Sequence, residues 1–367
     1  MKSKHVLFLN YHSLPKILDP NEKLIKFHFV YDVLLELKKK HKISVIEFIG
    51  VKNFFIKNNI FYYFQRKTNN KKFLIDLKTH FLIKKISPDV IYIHGFSKIY
   101  HVIFFKFYLK KNTKIIIQHH AERPPHNWLK KNILSKLDKF IDAYIFTSID
   151  MADNWISKDL ISSRVKIFTQ PELSTHFSYN STIKKDANLF IWVGRLNKNK
   201  DPITIIEAFI SYIKINSKAK LVLFYSEKEL EKKIIDILNL SGITNEIKLM
   251  GVIDNSELEE WYQKSTYFLL GSYYEGGSTA LIESMACGCI PIITNIASNR
   301  AITENGKYAK LFKPGDKEDL LEKLKSLKNF NSKSLSLKIK NHFNNKLSFK
   351  ALSSGLEKLI ETLFNHH

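Results

Sequence analysis

The sequence predicts an α/β protein of two Rossmann-like, doubly wound parallel-sheet domains facing across a cleft. Two observations carry this. Short β-branched or aromatic runs alternate with longer amphipathic stretches, the signature of repeated βα units. A polar stretch without periodicity, 171–187, splits the series into two halves.

In the first half the strand-forming runs are 6–10, 43–49, 90–94, 114–118, 143–147 and 165–169, with helical stretches such as 26–39 and 128–140 between them. In the second half the strands fall at 189–193, 220–224, 247–250, 267–270, 290–294 and 309–312. Helices at 202–216, 227–240, 256–263, 279–286 and 317–327 separate them. Domains are therefore expected at 1–175 and 185–345. The segment 348–364 puts Phe349, Leu352, Leu356, Leu359, Ile360, Leu363 and Phe364 on one helical stripe. Sheets of this kind take ligands at the carboxyl ends of their strands, so chemistry is sought at strand-to-helix turns.

Composition narrows the function classes. The chain has 367 residues, is 44% hydrophobic and 13% aromatic, which suits two packed cores and argues against disorder. Its two cysteines, Cys287 and Cys289, lie in one apolar stretch, which excludes a disulfide framework and suits a reducing compartment. No run approaches the roughly 20 apolar residues of a spanning helix, and residues 6–9 are too short for a signal core of roughly 7–15. A cytoplasmic protein is expected, with peripheral attachment to the inner face of the membrane as an extension. The net charge is +23 and uneven: residues 1–180 hold 31 Lys+Arg against 14 Asp+Glu, and residues 51–114 hold 14 against 2. Lysine-rich coding alone would not confine the excess to one half, so the asymmetry points to anionic partners.

The most informative run is Gly271-Ser272-Tyr273-Tyr274-Glu275-Gly276-Gly277-Ser278-Thr279-Ala280-Leu281-Ile282-Glu283, which follows a strand and opens a helix. Gly276 and Gly277 allow a tight turn and close approach of a ligand. The free amides of Ser278, Thr279 and Ala280 at the helix start make an anion site. Glu275 can face a ligand, and Glu283 can accept hydrogen bonds from vicinal hydroxyls such as those of a ribose. A capped helix with surface glutamates is the plainer explanation of the same residues.

The second run, Val193-Gly194-Arg195-Leu196-Asn197-Lys198-Asn199-Lys200-Asp201-Pro202, turns from a strand into a helix with Asp201 as N-cap and Pro202 at its first position. Arg195 and Lys200 bracket this turn and suit a diphosphate, the guanidinium as a fork and the ammonium as a point charge. Two solvated surface cations would read the same way.

Taken together, these runs resemble the C-terminal domain of GT-B-fold glycosyltransferases, specifically the large retaining family 4 (glycosyl transferases group 1). Arg195 and Lys200 match that family's Gly-Arg-Leu turn with a lysine five residues on. Glu275 and Glu283 match its Glu-x7-Glu motif, running into Glu283-Ser284-Met285-Ala286-Cys287-Gly288. Pro291, the region of Gly306 and the run 311–316 follow the family's downstream pattern, and the resemblance covers about 189–325. It implies a nucleotide-sugar donor, with Arg195, Lys200 and the amides at 278–280 on its diphosphate, Glu283 on the ribose and Glu275 on the donor sugar. It implies no cofactor beyond the donor and no metal, and no Asp-x-Asp pair is present. It also implies that helix 348–364 crosses back to the N-terminal domain.

The N-terminal half resembles the family more weakly. A family histidine near the donor sugar corresponds to His120, with His119 as the alternative, in His119-His120-Ala121-Glu122-Arg123-Pro124. His94 and Gly95 would sit at the cleft end of the preceding strand, which the pair Pro88-Asp89 opens. Two departures stand out. The family's glycine-rich loop after the first strand is here Asn10-Tyr11-His12-Ser13-Leu14-Pro15. Its Gly-x-Gly after the 220–224 strand is here Tyr225-Ser226-Glu227-Lys228.

Within 53–86, Phe54, Phe55, Phe61, Tyr62, Tyr63, Phe64, Phe73 and Phe81 interleave with Lys57, Arg66, Lys67, Lys71, Lys72, Lys78, Lys84 and Lys85. This suits an anionic membrane surface, or else ordinary helices with aromatic core faces and solvated lysines. Nucleic acid is not the expected partner, because the cleft motifs point to a sugar donor. The expectation is a hexosyltransferase-type enzyme that uses a glycan or lipid-linked acceptor in bacterial surface-glycan synthesis. A non-catalytic GT-B scaffold partner, or a sugar phosphorylase or epimerase on the same fold, are the other functions this sequence pattern would fit.

Overall fold

The computed structural model describes residues 2–66, 77–96, 99–109, 112–328 and 331–365. The chain divides into two compact units, Met1–Glu172 with Phe349–His367, and Leu173–Ser348.

The first unit runs β1 (His5–Leu14), α1 (Pro20–Lys26), α2 (His28–Leu37), β2 (Lys42–Ile49), β3 (Asn53–Lys57), β4 (Ile60–Arg66), α3 (Leu77–Ile86) and β5 (Val90–His94). It continues with α4 (Val102–Tyr108), β6 (Lys114–Gln118), α5 (Trp128–Asp138), β7 (Ala143–Phe146), α6 (Ile149–Ile156) and β8 (Ile167–Thr169). Among the described residues these strands form an eight-stranded sheet in the order β3-β4-β2-β1-β5-β6-β7-β8. Every pairing is parallel except the β3–β4 edge. The central strands are apolar along their whole length, as strands covered on both faces must be.

Three local differences from the sequence reading have physical causes. The helix expected over 26–39 forms as α2, and a helix the sequence reading did not mark, α1, precedes it, the two parted where Phe27 leaves helical geometry at φ −118 and ψ 29. The first strand extends past Asn10 to Leu14 through an irregularity between Leu9 and Ser13; with no glycine to turn it, the chain stays extended. Residues 53–66 form a hairpin rather than helices, closed by Asn58 and Asn59 at φ 52 and 60, the left-handed pair a tight hairpin turn requires. Tyr62 and Phe64 of that hairpin are core residues, while Phe54 is exposed and packs at a tilt against Tyr63. Lys67, Lys71, Lys72 and Phe73 lie outside the described residues.

The second unit runs β9 (Asp186–Gly194), α7 (Pro202–Ile213), β10 (Lys220–Tyr225), α8 (Glu231–Ser241), β11 (Ile247–Gly251), α9 (Asn255–Lys264), β12 (Ser265–Leu270) and α10 (Thr279–Ala286). It continues with β13 (Ile290–Thr294), α11 (Ala297–Ile302), β14 (Lys310–Phe312), α12 (Lys317–Lys325) and α13 (Ser332–His342). Among the described residues its parallel sheet has six strands in the order β11-β10-β9-β12-β13-β14. Trp192, Phe190, Phe209 and Phe268 fill its core. Cys287 and Cys289 are free thiols inside that core, and burial pushes both pKa values up, so they are inert packing groups.

The last helix, α14 (Phe349–Asn365), belongs to the first unit, where Leu356, Leu359 and Ile360 pack in the core beside α2. Among the described residues, no helix is long and apolar enough to cross a membrane.

Strand order reverses between β1 and β5 in the first sheet and between β9 and β12 in the second. Ligands bind outside the carboxyl ends of strands at such switch points. Those ends carry His94 in one unit, and Gly194 and Leu270 in the other.

Candidate functional site

In the second unit the turns after β9 and β12 are fastened together. A Cβ on Gly271 would stand 2.7 Å from the Asp201 carbonyl oxygen, so only glycine lets the two loops pass this closely. The Tyr273 amide donates to the Asn199 carbonyl (2.9 Å), and the Asn199 side-chain amide donates to the Tyr274 carbonyl (3.0 Å). Asp201 adopts φ 42 and caps α7, accepting from the Thr204 amide at 3.3 Å. The result presents Lys200 and Glu275 to one another as a hydrogen-bonded ion pair, with side chains only 12% and 11% exposed. Ser272 Oγ donates to the same carboxylate oxygen at 2.6 Å.

Arg195 stands differently. Its guanidinium is half-exposed and lies 3.5 Å from Glu227, which also accepts from Asn197 Nδ2 at 3.1 Å. An exposed pair of this kind contributes about 0–1 kcal/mol, so the arginine is free to exchange Glu227 for a stronger anion.

Ser278 caps α10 through its side chain, accepting from the Leu281 amide at 3.4 Å, while Thr279 and Ala280 line a cavity at the helix start. That cavity has a volume of about 370 Å³. It brings together Gly194, Arg195, Lys200, Glu275, Gly277, Thr279, Ala280 and Glu283. Its other wall is built from Phe224, Tyr225, Ser226, Val252 and Ile253 at the carboxyl ends of β10 and β11; sequence reasoning marked Tyr225 and Ser226 only as a departure from the family loop and missed the rest. The position of those strand ends was the available signal.

Burial pushes the Glu283 carboxyl up to about 7, against a weak hydrogen bond from Tyr262 at 3.4 Å that pulls it down. A raised carboxyl binds more protons in the folded state than in the unfolded chain between about 4.3 and 7. Stability should therefore fall as pH rises through that window, by about 4 kcal/mol in total, and Glu283→Gln should flatten the loss. Denaturant melts at several pH values check this.

The first unit holds a second cluster at its own switch point. His94 ends β5 and His120 follows β6, and their rings lie side by side with Nδ1 of His94 3.1 Å from Nε2 of His120. Nδ1 of His120 hydrogen-bonds the Glu172 carboxylate. Glu122 ties the two turns: one oxygen accepts from the Phe96 amide (2.9 Å) and the other from the His120 amide (2.6 Å). Ala121, at φ 64, supplies the left-handed step that folds Glu122 back, a local strain held by these bonds. His119 is not part of the His94–His120 pair but lies behind Glu122, its Nε2 3.9 Å from the Glu122 carboxylate. It is buried, its Nε2 bonds the Glu122 carbonyl at 2.8 Å, and it stacks on Phe146.

Burial works against protonation of His120, but the hydrogen bond and charge of Glu172, with the charge of Glu122, raise its pKa above the ordinary value. Burial, then the neighbouring charges of His120 and Lys23, hold His94 well below it. Within the pair the proton is therefore favoured on His120 and disfavoured on His94. Behind His94, Glu47 is fully buried and takes Tyr31 OH at 2.9 Å and the ammonium of Lys23 at 3.5 Å. Glu172, Glu122, Glu47 and Lys23 were not among the expected site residues. Glu172, just past the end of β8, had strand-end position as its signal.

Gly95 sits at φ 77, and a Cβ there would lie 2.6 Å from Glu122 Oε1. Gly95→Ala should cost about 1–2 kcal/mol of backbone strain and additionally expel the Glu122 bridge. Chemical denaturation should show the loss, and the His120 imidazole resonance should move with it.

Two doubly wound parallel-sheet units, one with two cations and a helix N-terminus converging on a cavity with two carboxylates, define a protein of GT-B fold. Residues 175–342 match the family described as glycosyl transferases group 1. It is 26% identical over 243 residues to the capsular polysaccharide biosynthesis glycosyltransferase CapH of Staphylococcus aureus, covering 64% of this chain and 67% of the relative. It is 24% identical over 229 residues to the N-acetylgalactosamine-N,N'-diacetylbacillosaminyl-diphospho-undecaprenol 4-alpha-N-acetylgalactosaminyltransferase of Campylobacter jejuni. That match covers 59% of this chain and 60% of the relative, so the chain spans about three fifths of that enzyme's length. A glycosyltransferase from Rickettsia africae has the same fold, with a TM-score of 0.75, 14% identity and 100% coverage of both chains.

Proposed function

We propose that this chain is a retaining, metal-independent glycosyltransferase that moves a sugar from a nucleotide-sugar to a hydroxyl of a glycan or lipid-linked acceptor in bacterial surface-glycan synthesis. The observation that carries this is the convergence of Arg195, Lys200, the N-terminus of α10, Glu275 and Glu283 on one cavity. The reaction breaks the bond between the anomeric carbon and the diphosphate oxygen, and forms one from that carbon to the acceptor oxygen. The acceptor proton passes to the departing phosphate on the same face, which retains configuration.

Charge grows on the diphosphate as that bond breaks. Arg195, Lys200 and the amides of Thr279 and Ala280 are fixed donors for it, the arrangement that lowers such barriers without a divalent ion. Donor binding replaces the Lys200–Glu275 pair: the ammonium turns to phosphate and the carboxylate to the sugar hydroxyls, where its charge supports the oxocarbenium-like centre. Glu283 takes the ribose, and His120 in the first unit takes a donor-sugar hydroxyl. The polyprenol-linked substrate named for the Campylobacter relative supports a lipid-linked acceptor.

The test is release of nucleoside diphosphate from a panel of nucleotide-sugars, with the anomeric configuration of product read by NMR. Turnover should survive a chelator undiminished. Loss of activity on chelation that added magnesium or manganese restores would contradict the metal-independent mechanism, and an inverted product would contradict retention.

A further inference from the structure

Helix α5 carries its large apolar side chains outward. Trp128 is 69% exposed, Leu129 61% and Ile133 49%, while Leu137 and Asp138 face inward. The orientation is fixed at both ends. Asn127 caps the helix by accepting from the Lys130 amide at 3.3 Å, and the buried Asp138 carboxylate accepts from Tyr144 OH at 2.8 Å and from the Ser162 amide at 3.2 Å. The helix therefore cannot roll its apolar face into the core.

Along the helix and its flanks the exposed charge has one sign. Between 123 and 139 the chain carries Arg123, Lys130, Lys131, Lys136 and Lys139, and its one acid is the inward-facing Asp138. Helix α5 packs on the 3-10 turn Ile99–His101 that leads into α4, and α4 packs on α3. Helix α3 adds exposed Phe81 beside the exposed Lys84 and Lys85, so the apolar and basic character continues past α5. This surface lies largely outside the hairpin aromatics that the sequence singled out, two of which are core.

We propose that the outer face of α5, extended by α3, docks this protein on an anionic lipid bilayer. Trp and Leu at a helix surface flanked by lysines, with no exposed acid between 123 and 139, is the pattern of a helix lying in the headgroup region. A protein partner fits less well, because lysine is depleted at protein–protein interfaces. The inference rests on the glycosyl-transfer reading only for its purpose, which is to hold the enzyme where a lipid-linked acceptor resides; the binding itself is independent of it.

The experiment is flotation of the full chain with vesicles of phosphatidylcholine alone and of equimolar phosphatidylcholine and phosphatidylglycerol, at low and physiological salt. The chain should float with the anionic vesicles, less so as salt rises, and not with the neutral ones. Lys130→Gln with Lys131→Gln should weaken partitioning about 30-fold. Trp128→Ser with Leu129→Ser should abolish it, with melting temperature unchanged because both side chains are exposed. Binding of a nucleoside diphosphate, titrated in parallel, reports the donor cavity and should be the same in all variants. Failure of flotation with intact nucleotide binding would overturn the docking surface alone, and failure of nucleotide binding with intact flotation would overturn the donor site alone. Unchanged flotation of both variants, or a dimer of the wild type that the Trp128 and Leu129 substitutions convert to monomer without any vesicle binding, would overturn the proposal.

Discussion

Lys200→Ala is expected to lower kcat by about 10²–10³-fold, the effect of removing one fixed donor from a developing oxyanion. It should also destabilise the protein. Lys200 and Glu275 are an almost buried pair, and removing one partner of such a pair leaves an uncompensated charge at a cost of about 3–5 kcal/mol. Glu275→Ala should do both as well, because it strips the same pair and also leaves the Ser272 hydroxyl without its acceptor. Lys200→Ala combined with Glu275→Ala should be more stable than either single variant's loss would suggest when summed, since the double variant leaves no lone charge. Activity should show no such recovery, because the proposed donor complex uses the two groups on different atoms. Denaturant melts of the four proteins separate stability from kcat. Additive stability losses would mean that the pair does not hold the loops together.

His120 is the second position where a large effect is expected. His120→Ala should reduce kcat at least about a hundredfold if the ring holds the donor sugar in the transition state. Glu172→Gln is the more discriminating change. Glu172 is the main opponent of the burial that would strip the proton from His120, with Glu122 adding charge and His94 and His119 the other titratable neighbours. Removing the carboxylate charge should move the His120 titration to lower pH and carry with it the alkaline limb of kcat/KM. The linkage has a definite sign. A histidine whose pKa is raised on folding stabilises the protein fully below its unfolded value near 6.5, and that contribution fades as pH rises through the folded value. Glu172→Gln should therefore narrow the stability gap between slightly acidic and alkaline pH. An NMR titration of the imidazole reads the shift directly, and an unmoved His120 resonance in Glu172→Gln would contradict this account.

Much of the molecule was legible in the chain. All twelve strands expected from apolar runs form, because parallel sheets covered on both faces demand such runs. The hairpin 53–66 was not read, since its aromatics lie on both faces: Tyr62 and Phe64 point to the core and Phe54 and Tyr63 outward, which erases a period of two. In the site, Arg195, Lys200, Glu275 and Glu283 were legible because they sit at fixed offsets from a strand end or a helix start. Their internal arrangement was not. Lys200 and Glu275 are 75 residues apart and meet only because Gly271 lets one loop pass under the other. Glu172 and Glu122 escaped notice because isolated carboxylates carry no spacing. Their role depends on an alanine in a left-handed conformation and on the parallel register that sets His94 opposite Gln118, two residues before His120.

The central claim is that the cavity of the second unit receives the diphosphate of a nucleotide-sugar. Isothermal titration with a set of nucleoside diphosphates tests it most directly, using the wild type, Arg195→Ala and Lys200→Ala. The account predicts that at least one diphosphate binds the wild type and that each substitution weakens it about tenfold or more, as loss of a charge-assisted hydrogen bond of about 1.5–3 kcal/mol requires. No binding by any diphosphate, or equal binding by all three proteins, would contradict it.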